Sequence, residues 1–293
     1  MAIIPQRALA VDIPELVQAY SERDTILYAL GIGIGHDTTD LGQVGFVYEK
    51  GLKVVPTMAV VLGETMGWVH DPGLGMDVVQ SLHGEERVIL HRPLAPEGRV
   101  AGQTQVIGLA DKGAGRGALV HSRKELRDAG TGALIATTLR TAFARADGGF
   151  GGVHGETPAP LPPVPGRAPD LTCELPTVPQ AALIYRLSGD RIPLHADPAV
   201  ARAAGFDRPI LHGLCSLGIA CHAILRLVCD YDPVRIAEIG CRFSAPVFPG
   251  ETLRVELWRD GRAVHFRALV AERGVVAVTN GHAVLRMHGG WND

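Results

Sequence analysis

The chain has 293 residues, of which 46% are hydrophobic and 20% charged, and its formal net charge is -3. This length allows two domains of ordinary size, and the composition is that of a globular protein rather than a disordered one. No block of basic residues indicates a nucleic-acid surface, and no stretch approaches the roughly 18 uninterrupted apolar residues that a membrane-spanning helix needs. We therefore expect a cytoplasmic protein without nucleic-acid or membrane partners.

The five cysteines all lie in the second half of the sequence, at Cys173, Cys215, Cys221, Cys229 and Cys241. Their odd number and the lack of a Cys-x-x-Cys pair suit neither a disulfide framework nor a zinc site. We expect small, buried apolar side chains in a reducing compartment, and we expect no metal and no cofactor.

The predicted elements of the first half begin with a loop region at residues 20–31 and a long apolar segment that opens at Pro56. Three strand-like segments follow, broken by glycine-rich turns: Val100 to Leu109, Ala118 to Leu126 and Ala133 to Phe143. A glycine- and proline-rich run then covers residues 148–170. Because its prolines exclude helix interiors and central strands, this run predicts an extended linker.

The second half repeats this order of elements. An irregular loop at residues 185–198 precedes an apolar segment from Pro209 to Cys229, which predicts a helix buried on all sides. Three strand-like segments follow, separated by the hairpin signals Asp260-Gly261 and Arg273-Gly274: Leu253 to Trp258, Ala263 to Val270 and Val275 to Val284.

An internal duplication explains the repeated order. Three proline pairs are each separated by 153 residues: Pro56 and Pro209, Pro93 and Pro246, Pro96 and Pro249. This period is too long for a solenoid and suits two fused domains. We expect an α+β fold in which each half wraps an antiparallel sheet round a central helix. The predicted divisions are an N-terminal repeat (1–147), a linker (148–170) and a C-terminal repeat (171–293).

Asp190 and His195 are the candidate catalytic pair. They lie five residues apart on a loop that Pro193 constrains, so both side chains can reach one water molecule as a general acid–base pair. The same spacing occurs at Asp207/His212 and Asp260/His265, so the interval alone is weak evidence. From the residues alone, a structural turn with a satisfied histidine is an equally good interpretation.

Residues 185–214 resemble the signature of the R-specific enoyl-CoA hydratases, also called hydratase 2 or MaoC-like dehydratases. That motif runs Ser-Gly-Asp-x-Asn-Pro-Leu-His-x-Asp-Pro and continues through Ala-Gly-Phe to Pro-Ile-Leu-His-Gly-Leu; Arg242 to Thr252 also matches. The resemblance implies a double hot-dog fold. It also implies reversible syn hydration of a trans-2-enoyl-CoA to an (R)-3-hydroxyacyl-CoA, with Asp190 and His195 holding the reacting water.

The resemblance also implies roles in substrate binding. Gly213 would donate its backbone N–H to the thioester carbonyl from the start of a helix. His212 could line the site, although a capping or loop-tethering hydrogen bond is the interpretation we favour, and Ser216 stays outside the catalytic set. Coenzyme A is polyanionic, so we expect basic residues at the mouth of the site. The candidates are Arg242, Arg208 and Arg191.

Ile192 departs from the family motif, which has Asn at this position. An amide can orient the loop or the water through hydrogen bonds, whereas isoleucine cannot. Two other functions also remain open, and the departure at Ile192 favours the second of them. One is a hot-dog thioesterase, and the other is a non-catalytic or weakly active protein that binds acyl thioesters, either of coenzyme A or of acyl carrier protein.

The first repeat lacks the candidate chemistry. Ala59 and Val60 stand where the second repeat has His212 and Gly213, and Ala29 lies five residues beyond Asp24. We expect this half to keep its helix and to help enclose the substrate. Gly63 and Gly67 in that helix would either leave room for an acyl tail or serve packing. A homodimer is the expected oligomer.

Overall fold

A computed structural model describes residues 3–286, and a continuous antiparallel sheet runs through both halves of this region. The strands are β1 (Leu16–Tyr20), β2 (Ser81–Leu90), β3 (Gly98–Asp111), β4 (Ala118–Asp128), β5 (Leu134–Ala144), β6 (Val153–Gly155), β7 (Leu171–Pro176), β8 (Ile236–Phe243), β9 (Thr252–Asp260), β10 (Ala263–Val270) and β11 (Val275–Leu285). They are ordered β1-β3-β4-β5-β2-β8-β11-β10-β9-β7, with β6 paired to β3. The halves join where β2 pairs with β8, Glu85 to Ile89 lying opposite Arg242 to Glu238.

The six strands predicted from the sequence are confirmed as β3, β4, β5, β9, β10 and β11, with ends shifted by no more than two residues. The turns between β9, β10 and β11 contain Gly261 (φ 56°) and Gly274 (φ 62°). Positive φ is the conformation that glycine adopts without a steric penalty in tight hairpins. The glycine turn signals in the sequence therefore predicted the ends of these strands correctly.

The helices are α1 (Pro5–Leu9), α2 (Glu22–Gly31), α3 (Leu41–Val44), α4 (Ala181–Tyr185), α5 (Pro198–Ala203) and α6 (Gly213–Leu227). The predicted central helix is α6, and its residues from Leu214 to Leu225 are all buried. It begins later than expected. The chain from Pro209 to Leu211 is not helical, and the Leu211 N–H donates to the Val247 carbonyl at 2.7 Å.

The expected helix of the first repeat is absent from the described structure, so that prediction was wrong. Pro56–Val60 form one turn of 3-10 helix, and Lys124 Nζ then donates to the carbonyls of Ala59, Val60 and Leu62 at 3.2, 3.0 and 2.8 Å. These bonds satisfy carbonyls that a longer helix would have paired internally.

The two glycines assigned to that helix lie outside any such element. Gly63 has φ 57°, and its backbone lies so close to Gly102 that a Cβ on Gly102 would stand 2.0 Å from the Gly63 carbonyl oxygen. Gly67 begins a separate 3-10 helix, Gly67–His70. The small size of Gly63 therefore serves backbone packing, and the idea that both glycines line a helix beside an acyl tail is not retained.

One hydrophobic core extends across both repeats. It includes Tyr28 and Phe46 from the first half together with Tyr185, Leu217 and Phe266 from the second. Because the halves share this core, the loop after Tyr185 is held at their junction. We retain the division at residues 147 and 170 as a proposal; the segment between them contains β6.

Four of the five thiols, those of Cys215, Cys221, Cys229 and Cys241, are buried, and that of Cys173 is partly buried. All five are free. In the described part of the chain, no helix combines the length and the apolar character needed to cross a bilayer.

Candidate active site

The loop between α4 and α5 orients the first catalytic candidate, Asp190. A 3-10 turn ends at Ser188, and Gly189 adopts φ 138°, which reverses the chain direction. Asp190 Oδ1 then accepts a hydrogen bond from the Ile192 N–H at 3.2 Å. This aspartate turn fixes one carboxylate oxygen while the side chain stays partly exposed.

His195 lies at the end of a second 3-10 turn, Pro193–His195, and is only 8% exposed. Its Nδ1 lies 2.8 Å from the Ile210 carbonyl oxygen. A carbonyl only accepts, so Nδ1 carries the proton and Nε2 keeps its lone pair. Burial lowers the pKa of His195, against the opposing effects of the Ile210 carbonyl and the Asp190 charge. The ring is therefore neutral at pH 7, with Nε2 unprotonated.

His212 immediately precedes α6 and connects that helix to the loop. Its Nε2 donates to the Asp190 carbonyl oxygen at 3.1 Å, and its side chain makes no capping bond within the helix. Its ring stacks on His195 with centroids 3.7 Å apart and an interplanar angle of 25°. Burial and the neighbouring His195 lower the pKa of His212 to about 3. His212 is therefore also neutral.

Asp190, His195 and His212 form one compact cluster, in which each residue brings one potential ligand atom to within 4.8 Å of the others. Two chemical uses fit this spacing. A carboxylate and a neutral imidazole can share one water molecule for proton transfer. Two imidazoles and a carboxylate are also a recognised ligand set for zinc.

Gly213 is the first residue of α6, where backbone N–H groups lack acceptors within the helix. A Cβ at this position would stand 3.2 Å from the ring of Phe243, and that ring meets His83 edge to face at 5.0 Å. The Phe243 ring would have to shift by a few tenths of an ångström to admit a side chain here, and the lack of a side chain lets a ligand approach the amide.

The remaining substrate-binding candidates lie at the surface. Arg242 is paired with Glu85 across the β2–β8 junction, with Nη2 2.6 Å from Oε1. The Arg208 guanidinium lies over the Phe248 ring at 4.9 Å. Arg191 is exposed, and the Ile192 side chain is 47% exposed. Ser216 is buried within α6.

A buried charge network beside the site was not anticipated from the sequence. Glu86 is fully buried and contacts Arg140 at 3.1 Å, while Glu64 contacts Lys124 at 2.9 Å and Arg140 at 3.4 Å. Burial lowers the pKa of Arg140, but Glu64, Glu86 and also Asp190 raise it more. Strand alternation could have placed Glu86, Lys124 and Arg140 on one face of the sheet, but it could not have shown that this face is buried or that the loop residue Glu64 joins them.

Comparison with known proteins finds a family match in each half of the chain. A MaoC like domain matches residues 161–281, and an MFE-2 hydratase 2 N-terminal domain matches residues 18–146. The "3-hydroxyacyl-thioester dehydratase Y" of Mycobacterium tuberculosis is 43% identical over 92% of this chain and 93% of its own. The "Enoyl-CoA hydratase 2, peroxisomal" of Arabidopsis thaliana is 39% identical over 90% of each.

Solved structures show the same architecture. The crystal structure of a MaoC-like dehydratase from Phytophthora capsici is similar with a TM-score of 0.84 and 36% identity, covering 96% of this chain and 98% of that one. A Mycobacterium tuberculosis protein described as a double hotdog fold shares that fold with this chain at a TM-score of 0.54 and 18% identity, over 94% and 97% of the two chains. The predicted fold class is confirmed, and the chain belongs to the MaoC-like hydratase 2 family of hydro-lyases.

Proposed function

We propose that this protein catalyses the reversible syn hydration of a trans-2-enoyl-CoA to an (R)-3-hydroxyacyl-CoA, with Asp190 and His195 as its catalytic residues. The observation that carries the proposal is the 2.8 Å contact between His195 Nδ1 and the Ile210 carbonyl oxygen, which selects the Nδ1–H tautomer because a carbonyl only accepts. The Nδ1–H of His195 is committed to the Ile210 carbonyl, so Nε2 is an unprotonated base beside a carboxylate. This is the state that general-base activation of water requires.

The proposed reaction needs one water molecule held between the two side chains. Asp190 accepts one water O–H, and His195 Nε2 removes the other proton as the oxygen attacks the β-carbon of the enoyl thioester. The imidazolium then returns that proton to the α-carbon on the same face. The elements of a single water are thus added, and the negative charge of Asp190 stabilises the transient imidazolium.

Attack at the β-carbon places negative charge on the thioester oxygen in an enolate-like transition state. In our proposal the Gly213 N–H, aided by the positive end of α6, donates a hydrogen bond to that oxygen. In enzymes where a single donor of this kind has been removed, the activation free energy rises by about 3 kcal/mol. His212 and Ile192 flank the bound thioester.

The thioester carrier is coenzyme A or acyl carrier protein. Arg208 and Arg191 are exposed cations on the loops that border the site, so they are the proposed contacts for the carrier's phosphates. Arg242 already forms an ion pair with Glu85, so it would bind a phosphate of the carrier only if its guanidinium contacts both groups at once. We also propose a homodimer and a cytoplasmic location, with no nucleic-acid or membrane partner, although the name of the Arabidopsis relative specifies the peroxisome.

The test uses purified protein and crotonyl-CoA. Hydration removes the conjugated double bond, so absorbance near the enoyl band falls without release of a thiol, which a thiol reagent would detect. Release of coenzyme A would instead indicate a thioesterase. Saturable binding without either change would indicate a non-catalytic acyl-thioester-binding protein, and either of these two results contradicts the proposed hydratase activity.

A further inference from the structure

Four stacked or tilted rings connect the first repeat to the catalytic histidine. Tyr28 on α2 lies 5.8 Å from Tyr185, Tyr185 lies 5.0 Å from His212, and His212 lies 3.7 Å from His195, measured between ring centroids. We call these four residues the ring column. Its far end is anchored where the Tyr28 hydroxyl meets Thr57 Oγ1 at 3.0 Å. His212 therefore packs against two rings, those of Tyr185 and His195.

Two hydrogen bonds join the catalytic loop and the entry to α6 in opposite directions. His195 donates from the loop to the Ile210 carbonyl, and His212 donates from the start of α6 back to the Asp190 carbonyl. Each histidine thus holds the segment that carries the other histidine.

The remaining nitrogen of His212 distinguishes this residue from a simple packing group. Its Nδ1 is buried and has no hydrogen-bond partner among residues 3–286. A buried polar atom without a partner costs about 1–3 kcal/mol. A phenyl ring would fill the same space without that penalty, so the imidazole contributes something a phenyl cannot, namely the Nε2–H bond to Asp190.

We propose that His212 is a positioning residue for the hydration reaction: its ring fixes the plane of His195 by stacking, and its Nε2–H fixes the backbone of Asp190. This inference rests on the proposed function. Through Tyr185 and Tyr28, the first repeat supports the catalytic pair although it carries no catalytic residue of its own. Misplacement of a reacting group by about 1 Å can lower a rate about 100-fold, so both contacts affect the rate.

Two substitutions separate the contacts. His212→Gln keeps an amide N–H near the position of Nε2 but loses the stacked ring, whereas His212→Phe keeps the ring and loses the donor. We expect each to lower kcat on crotonyl-CoA by about 10- to 100-fold, with KM changed less than about threefold. His222→Gln is the matched control. It alters another buried histidine of α6, and its kcat should stay within about twofold of wild type.

The pH profile provides a readout that a purely structural role would not change. His212 is surrounded by His195, Asp190 and Arg186, and its ring shields His195 from water. Without that ring, solvent reaches His195 and its pKa rises towards the ordinary value of 6.5. The acid limb of kcat/KM should therefore move to higher pH in His212→Gln and stay in place in His212→Phe.

Full kcat in either folded variant overturns the proposal, because each variant lacks one of the two contacts. If a variant does not fold, ¹⁵N NMR of the wild-type imidazoles decides instead: the proposal requires the Nε2–H tautomer for His212 and the Nδ1–H tautomer for His195 at pH 7, and the opposite tautomers contradict it. If the wild-type protein has no hydratase activity, the proposed function itself is wrong. If the wild type is active and both variants keep its rate, only the proposed role of His212 is wrong.

Discussion

Acidification should unfold this protein in part through His222, a buried histidine of α6 outside the cluster of Asp190, His195 and His212. Its Nε2 lies 3.5 Å from the Tyr231 hydroxyl, and burial, with a smaller contribution from the Arg226 charge, lowers its pKa to about 4 although Asp40 opposes the shift. Above pH 6.5 the histidine is neutral in both states. Between pH 6.5 and 4 only the unfolded chain binds the proton, so stability present above pH 6.5 is lost as the pH falls.

The size of this stability loss follows from the difference between the ordinary pKa of 6.5 and the lowered pKa of about 4. Each pKa unit corresponds to about 1.4 kcal/mol, so His222 should remove about 3 kcal/mol from the free energy of unfolding between pH 6.5 and pH 4. The assay is urea unfolding of wild type and His222→Gln at a series of pH values. The variant should lose about 3 kcal/mol less than wild type over this range. Equal pH slopes in the two proteins would refute the reasoning, whatever their stabilities at pH 7.

Three further predictions concern the site and its support. Ile192→Asn should raise kcat/KM on a trans-2-enoyl-CoA, because an amide can orient the loop or the water; no gain would show that the missing amide does not limit catalysis. Lys124→Met should lower the free energy of unfolding by about 3–5 kcal/mol, because it removes the shorter of the two ion pairs of Glu64 and leaves three carbonyls without their donor. Lys112→Met, at an exposed position, should cost less than about 0.5 kcal/mol. Prolonged treatment with a chelator should leave crotonyl-CoA hydration within about twofold of the untreated rate; loss of activity that zinc restores would assign the Asp–His–His cluster to a metal.

Local patterns predicted the sheet because they operate over a few residues. Alternating apolar side chains and glycine turns identified β9, β10 and β11, and Pro193 identified the irregular loop that holds the candidate pair. The resemblance of residues 185–214 to the hydratase 2 motif then selected Asp190 and His195 from three equally spaced pairs.

The errors arose where distant residues decide the structure. The apolar run after Pro56 favours a helix, but the chain turns away after one helical turn, where Gly63 meets Gly102 and Lys124 binds the freed carbonyls. Contacts between segments about 40 to 65 residues apart in the chain leave no periodic pattern in the sequence. The stacking of His212 on His195 was missed for the same reason, since only the fold brings the two rings together.

Replacement of His195 tests the central claim most directly. Removal of the Nε2 base in His195→Ala should lower kcat on crotonyl-CoA by at least about 100-fold, while the circular dichroism spectrum and the thermal midpoint stay close to those of wild type. A folded His195→Ala protein that hydrates crotonyl-CoA at a rate near wild type would contradict the assignment of His195 as the base.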